Sequence, residues 1–292
     1  MEPRGVQVVT DSTTYVPPEL LGRLGVEQVS LYVGWNGDME REDSWTDLDA
    51  FYERLRDTEK LPTTSQPSVG DFEAVYEPAL RAGRDVVSIH IAAGISGTCD
   101  SAREAARSLA ARGVRGRVEV VDGRTGAGGL GCMVLAAASS ARLGSDADDV
   151  VTEANRTRES LAMWFCLDTL EYLRRGGRIG AAQALLGSAL KIKPILTFGT
   201  EISPVGKVRT KGRALQRMDA YLEELGARGA TDWIVQHAQS PADAEHLTER
   251  GTAILGKPPL FCTEVGPVLG AHLGSGMLVG GIGVAPAAGA AG

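Results

Sequence analysis

The feature that most constrains this chain is an alternation in its first half. Short runs rich in β-branched and apolar residues, VQVVT at 6–10, VEQVSLYV at 26–33, DVVSIHIA at 85–92 and VEVVD at 118–122, are separated by helix-like segments at 48–57, 71–82, 101–112 and 131–143. Apolar strands separated by amphipathic helices predict a parallel sheet covered on both faces. The first half therefore reads as a Rossmann-like parallel α/β domain, over residues 1–147. After the acidic stretch LGSDADDVV at 143–151 the rhythm changes. Helical patterns at 148–160 and 180–190 precede KPILTF and ISPVGKVRT, which read as a strand pair. A helix at 212–226, the strand WIVQHA, a helix at 241–255, PLFCTEV and MLVGGIGV complete the pattern. Hairpins interleaved with helices predict an α+β domain with a largely antiparallel sheet over 148–285. The closing APAAGAAG offers nothing to pack, so 286–292 is expected to be a disordered tail.

Composition agrees with two ordinary domains: 292 residues, 43% of them hydrophobic, can bury two cores. The formal net charge of -7 runs against the basic footprint that phosphate neutralisation demands, so nucleic acid is not expected as a partner. Neither a basic n-region followed by an apolar run nor a membrane-length apolar stretch is present, which points to a cytoplasmic location. Cys99, Cys132, Cys166 and Cys262 stand at least 33 positions apart and form no metal or disulfide pattern. No metal or cofactor is expected.

Five stretches could carry chemistry. GISGT at 94–98 is a glycine-rich turn from a strand into a helix, where unpaired N–H groups and the helix dipole attract an anion. The same residues could simply make the turn and cap the helix. The turn also begins a nucleophile-elbow pattern at Gly94 and Ser96, but Thr98 occupies the last glycine position and breaks it. LPTTSQPS at 61–68 is neutral and rich in hydroxyls; its prolines predict an extended loop, and Ser68 stands where it would cap a following helix. GPVLGAHLGSG at 266–276 reads as a loop that approaches something closely, with His272 as a donor in its middle. In LEYLRRGGRIG at 170–180, Arg174 and Arg175 suit a helix C-terminus, whereas Arg178 lies beyond the glycines and is free to meet a carboxylate or phosphate. KVRTKGR at 207–213 is a basic run on an acidic protein, either a protected strand edge or a docking patch. His90, His237 and His246 read as structural.

VTDST at 9–13, TTSQPS at 63–68, GISGT, LEYLRRGGRI, KPIL, KVRT and GPVLGAHLGSG together resemble, in order and spacing, the bacterial DegV family. The resemblance implies two α/β domains holding a long-chain fatty acid between them, with a FakB-like role: the bound acyl carboxylate is presented to a separate fatty-acid kinase partner, FakA-like, for acyl-phosphate formation, and no catalytic residue is implied. It further implies that Thr64, Ser96 and the Gly97 backbone bind the carboxylate, with His272 and Arg178 in the same network. Thr63, Ser65, Asp11 and Ser12 would support them, and Arg209 with Lys207 would dock the kinase. Lipid exchange implies a transient contact with a membrane surface. The rival reading is an acyl-transfer or hydrolase enzyme with Ser96 as nucleophile and His272 as base, oriented by Asp11 or Asp122.

Overall fold

A computed structural model describes residues 5–187 and 192–284. The chain order begins β1 (Val6–Asp11), α1 (Pro18–Leu24), β2 (Glu27–Val29), β3 (Tyr32–Trp35), β4 (Asp38–Arg41), α2 (Leu48–Asp57), β5 (Thr63–Ser65), α3 (Val69–Arg81) and β6 (Asp85–His90). It continues through α4 (Thr98–Ala111), β7 (Val118–Asp122), α5 (Ala127–Arg142) and α6 (Ala147–Glu159). The second half runs β8 (Ala162–Leu167), α7 (Glu171–Arg175), β9 (Lys193–Phe198), β10 (Ile202–Val208), α8 (Lys211–Ala227) and β11 (Asp232–Ala238). It ends with α9 (Pro241–Leu255), β12 (Cys262–Glu264), α10 (Pro267–Leu273) and β13 (Gly276–Ile282).

The first sheet is parallel, with strand order β2-β1-β6-β7. Its strands are apolar on both faces, and the two-residue period sorts them. Val9 and Val86 pack under α3 and α4 with Phe72, Tyr76 and Leu109. Val8, Val87 and Ile89 point the other way, toward α5 and α6. The second sheet has the order β10-β9-β8-β13-β11-β12 and is antiparallel except for the β11–β12 pair. Helices α8 and α9 cover one face through Met218, Leu222 and Leu247.

Between the two sheets lies α5, whose residues 127–135 are all buried. A helix buried all round must be apolar all round and slim where backbones press on it. The sequence AGGLGCMVLAAA meets both demands. A Cβ on Gly128 would stand 2.5 Å from Ile234 Cδ1 of the second sheet, and one on Gly131 would stand 2.6 Å from Val16 Cγ2 of the first half. One helix thus serves as the shared wall of the two halves.

Four expectations change. VEQVSLYV is not one strand: β2 joins the parallel sheet, while β3 turns away into a separate antiparallel sheet of order β4-β3-β5. The 61–68 segment is extended, but its centre is β5, paired with β3 so that Thr64 faces Val33. The segment 266–276 is not a loop, because Pro267 starts a helix and Gly274, at φ +65, ends it. Residues 180–185 form a 3-10 helix instead of the first part of an α-helix. Gly180 (φ +51) and Gly187 (φ +92) adopt backbone conformations that an α-helix excludes. The expected tail at 286–292 lies outside the described residues.

Candidate functional site

Strand β6 ends at His90, and the chain then turns sharply. Buried Asp11 fixes this point: Oδ2 accepts from the Ile91 backbone N–H at 2.9 Å and lies 3.1 Å from His90 Nδ1. Its other oxygen accepts from the Thr13 N–H at 3.0 Å. The Asp122 carboxylate accepts from the Ala93 N–H at 3.0 Å. With both strand ends tied, GISGT enters α4, placing Ser96 and the Gly97 backbone at the positive end of that helix. The Ser96 hydroxyl lies 2.8 Å from the Thr98 hydroxyl. Gly97 sits under the Gln66 side chain, since a Cβ there would stand 2.9 Å from Gln66 Nε2. TTSQPS and GISGT therefore touch.

The third side comes from α10. His272 Nε2 lies 2.8 Å from Thr64 Oγ1. Its Nδ1 is buried without a partner. The tautomer can be argued: if Nε2 carries the proton, it donates to Thr64, whose own hydroxyl hydrogen stays available for an incoming acceptor. The orphan Nδ1 is then an acceptor, which costs less to strand than a buried N–H. Burial, reinforced by the nearby Arg178 guanidinium, pushes the imidazole down to about 4, so it is neutral at physiological pH. Room for the ring is made by Gly176, where a Cβ would stand 2.3 Å from Nδ1. That is why a glycine follows α7, although its φ of -76° is one that any residue adopts.

Arg178 is exposed at the rim, donating to the carbonyls of Gly176 (2.8 Å) and Ile95 (3.4 Å). Below this polar rim opens a cavity of about 720 Å³ of atom-free space, including solvent at its mouth. Apart from Thr64, Ser65, Gln66, Ser96, Gly97, Arg178 and His272, its lining is apolar, with Leu31, Ile91, Phe165, Phe198, Leu269 and Leu278 among the walls. A second apolar space of about 300 Å³ shares Ala127, Phe165, Leu273 and Leu278 with it. The second sheet contributes walls through Phe165, Phe198 and Leu278, Ile91 just past β6 contributes one from the parallel layer, and α5 contributes Ala127.

The structure thus gathers Thr64, Ser96, Gly97, His272 and Arg178 at one mouth. Ser65 also borders it, while Thr63 hydrogen-bonds the Gly34 carbonyl at 3.4 Å. Ser12 accepts from the Leu31 N–H at 3.1 Å, behind the cavity wall. Lys207 and Arg209 are exposed, at the edge strand β10 and just beyond it. Ser96 is bonded to Thr98, not to His272, and neither Asp11 nor Asp122 meets the His272 ring. Sequence reasoning missed buried Glu42, which burial pushes up to about 7 although Ser12, Val268 and Tyr15 hydrogen-bond to it. Within MEREDSW it reads as one more surface charge. Among the described residues no group of three or more His, Cys, Asp or Glu is placed to hold a metal, and no helix is long and apolar enough to cross a membrane.

A parallel α/β layer and a mostly antiparallel layer, beside an apolar cavity whose mouth carries neutral hydroxyls and an imidazole, define a two-domain α/β protein built around a cavity between them. A family model described as an uncharacterised protein of the DegV family matches residues 5–286, and the chain belongs to the DegV family. A DegV domain-containing protein of Streptomyces coelicolor is 38% identical over 94% of this chain and 97% of its own. Protein DegV of Bacillus subtilis is 34% identical over the same shares. The crystal structure of DegV, a fatty acid binding protein from Bacillus subtilis, superposes with a TM-score of 0.85 at 32% identity, covering 96% of this chain and 99% of that one. A fatty-acid-binding DegV family protein from Thermus thermophilus gives a TM-score of 0.83 at 32% identity, with coverage of 95% and 99%.

Proposed function

We propose that this chain binds one long-chain fatty acid, with the tail in the interdomain cavity and the carboxylate at Thr64, Ser96 and the Gly97 N–H, and that it presents this carboxylate to a fatty-acid kinase partner for acyl-phosphate formation. The Thr64–His272 hydrogen bond above an apolar cavity carries the reading. It is supported by the fatty acid binding of the Bacillus subtilis and Thermus thermophilus relatives.

The division of labour follows from solvation. Each buried methylene contributes about 0.8 kcal/mol, so a C16 tail contributes on the order of 10 kcal/mol before the costs of association. The head contributes orientation. A carboxylate that must later accept a phosphoryl group cannot be locked in a bidentate arginine pair, and two hydroxyls, one N–H and a neutral imidazole hold it less tightly. Arg178, at the rim, is placed to meet the extra charge of an acyl phosphate. Lys207 and Arg209, exposed at the sheet edge, suit docking of the kinase, and loading requires transient contact with a membrane surface. Asp11 and Ser12 hold the β1 end and the cavity wall behind the site.

The acyl-transfer alternative needs Ser96 within reach of His272 and a carboxylate on the ring; the hydroxyl pairs with Thr98 instead, and the ring nitrogen is unpartnered. Incubation with palmitate, ATP and a DegV-partner kinase tests the proposal. Acyl phosphate should form with wild type and fail with the Thr64→Ala, Ser96→Ala double variant. Undiminished product from the double variant would remove these residues from the head-group site, and a covalent acyl-serine by mass spectrometry would favour the enzyme.

A further inference from the structure

We infer that Glu42 is the positioning residue of the carboxylate site, acting through α10 on His272; this rests on the reading of Thr64 and His272 as the head-group site. Glu42 is 5% exposed and follows β4 directly. Its Oε1 accepts from the Val268 backbone N–H and from the Tyr15 hydroxyl, each at 2.8 Å, and Oε2 accepts from the Ser12 hydroxyl. The Tyr15 oxygen in turn accepts from the Leu269 N–H at 3.1 Å. Val268 and Leu269 belong to the first turn of α10, where N–H groups have no intrahelical acceptor. One carboxylate and one phenol therefore satisfy two successive free donors of that helix, and His272 lies four residues, one turn, beyond Val268.

The same three-stranded sheet carries both ends of the polar contact. Thr64 stands on β5, opposite Val33 of β3. Glu42 emerges from β4, which pairs with the other edge of β3, and its own N–H donates to the Leu31 carbonyl at 2.8 Å. The Thr64–His272 separation is thus referenced to one rigid ladder: directly on one side, and through Glu42 and the first turn of α10 on the other. Gly266 permits the close approach, because a Cβ there would stand 2.5 Å from Tyr15 Cε1 and 3.0 Å from Glu42 Oε1. The clasp needs an acceptor at Oε1, which glutamine keeps. Leucine removes it and strands three buried donors.

The test compares wild type with Glu42→Gln, Glu42→Leu, Tyr15→Phe and, as a control for lost stability, Leu109→Ala in the α3–α4 layer. Two readouts are taken: the rate of palmitate release, and the long-range proton–nitrogen NMR signals of the His272 imidazole. Glu42→Gln should release palmitate within about threefold of the wild-type rate, Glu42→Leu about tenfold faster or more, and Tyr15→Phe at an intermediate rate. The His272 signals should shift or broaden in Glu42→Leu and stay in place in Leu109→Ala, whose release rate should match wild type. If Glu42→Leu does not fold, Tyr15→Phe against Leu109→Ala decides. Unchanged release in Glu42→Leu, equal acceleration by glutamine and leucine, or acceleration in the Leu109→Ala control would each overturn the inference. Failure of wild type to bind palmitate at all would defeat the functional reading, while the imidazole signals would still judge the clasp.

Discussion

Thr64 and His272, 208 residues apart in the chain, meet through a 2.8 Å contact between hydroxyl and imidazole. The contact joins an edge strand of the small sheet to a helix of the second half. If it prepares the Thr64 hydroxyl to donate to a carboxylate, Thr64→Ala and His272→Ala should each weaken fatty-acid affinity by about 1–3 kcal/mol, roughly 5- to 150-fold. The double variant should cost clearly less than the sum, because each single change already breaks the relay. Titration calorimetry with palmitate on the four proteins measures this.

Two titrating groups, buried Glu42 and half-buried His272, act on stability with opposite sign. His272 is held at about 4, below its usual value, so between there and about 6.5 the unfolded chain binds the proton that the folded one refuses. Its contribution is present above that window and is lost as pH falls through it. Burial, with the Asp11 charge adding to it, raises Glu42 to about 7 against the hydrogen bonds from Ser12, Val268 and Tyr15, so between about 4.5 and 7 the folded chain holds a proton that the unfolded one has released. That contribution is present at low pH and is lost as pH rises through 7. Each shift corresponds to at most about 3.5 kcal/mol. Between pH 5 and 6.5 the two slopes oppose, so urea unfolding of His272→Asn should show stability falling with pH relative to wild type, and Glu42→Gln should show it rising.

Gly176→Ala should damage the site without straining the backbone. At φ -76° alanine is allowed, so the cost comes from the 2.3 Å approach to His272 Nδ1, and overpacking of this kind costs about 1–3 kcal/mol. A lower unfolding midpoint together with weaker palmitate binding is expected. Unchanged affinity would mean that the ring can move aside freely.

Gly128→Ala tests the shared helix. In an exposed helix the change would stabilise by up to about 1 kcal/mol. Here the added methyl would stand 2.5 Å from Ile234 Cδ1, so we expect net destabilisation of about 1–3 kcal/mol, measurable by denaturant unfolding.

The fold class was legible because its strands and helices announce themselves by period: β1, β6 and β7 are mainly apolar, β-branched runs, and α2 falls on the expected residues. Glycines were one source of the errors. In 266–276 they looked like loop residues, yet Gly270 lies inside α10 because a Cβ there would stand 2.6 Å from the Tyr52 hydroxyl. Close approach and chain reversal leave the same mark in a sequence. Strand β8 left no readable period, and β5 is only three residues long between prolines. The polar residues at the mouth stood out by type and by their resemblance to a family, whereas Leu31, Phe165 and Phe198 could not be told from core. Glu42 was invisible because nothing local distinguishes a buried carboxylate from its exposed neighbours Glu40 and Asp43.

The most direct test is a crystal structure of the chain saturated with palmitate. The account predicts elongated density between the two sheets, running past Phe165 and Leu278, with one carboxylate oxygen within hydrogen-bonding distance of Thr64 Oγ1 and the other near Ser96 Oγ and the Gly97 N–H. An empty cavity at saturating palmitate, or a carboxylate at the opposite end beside Met277, would contradict it.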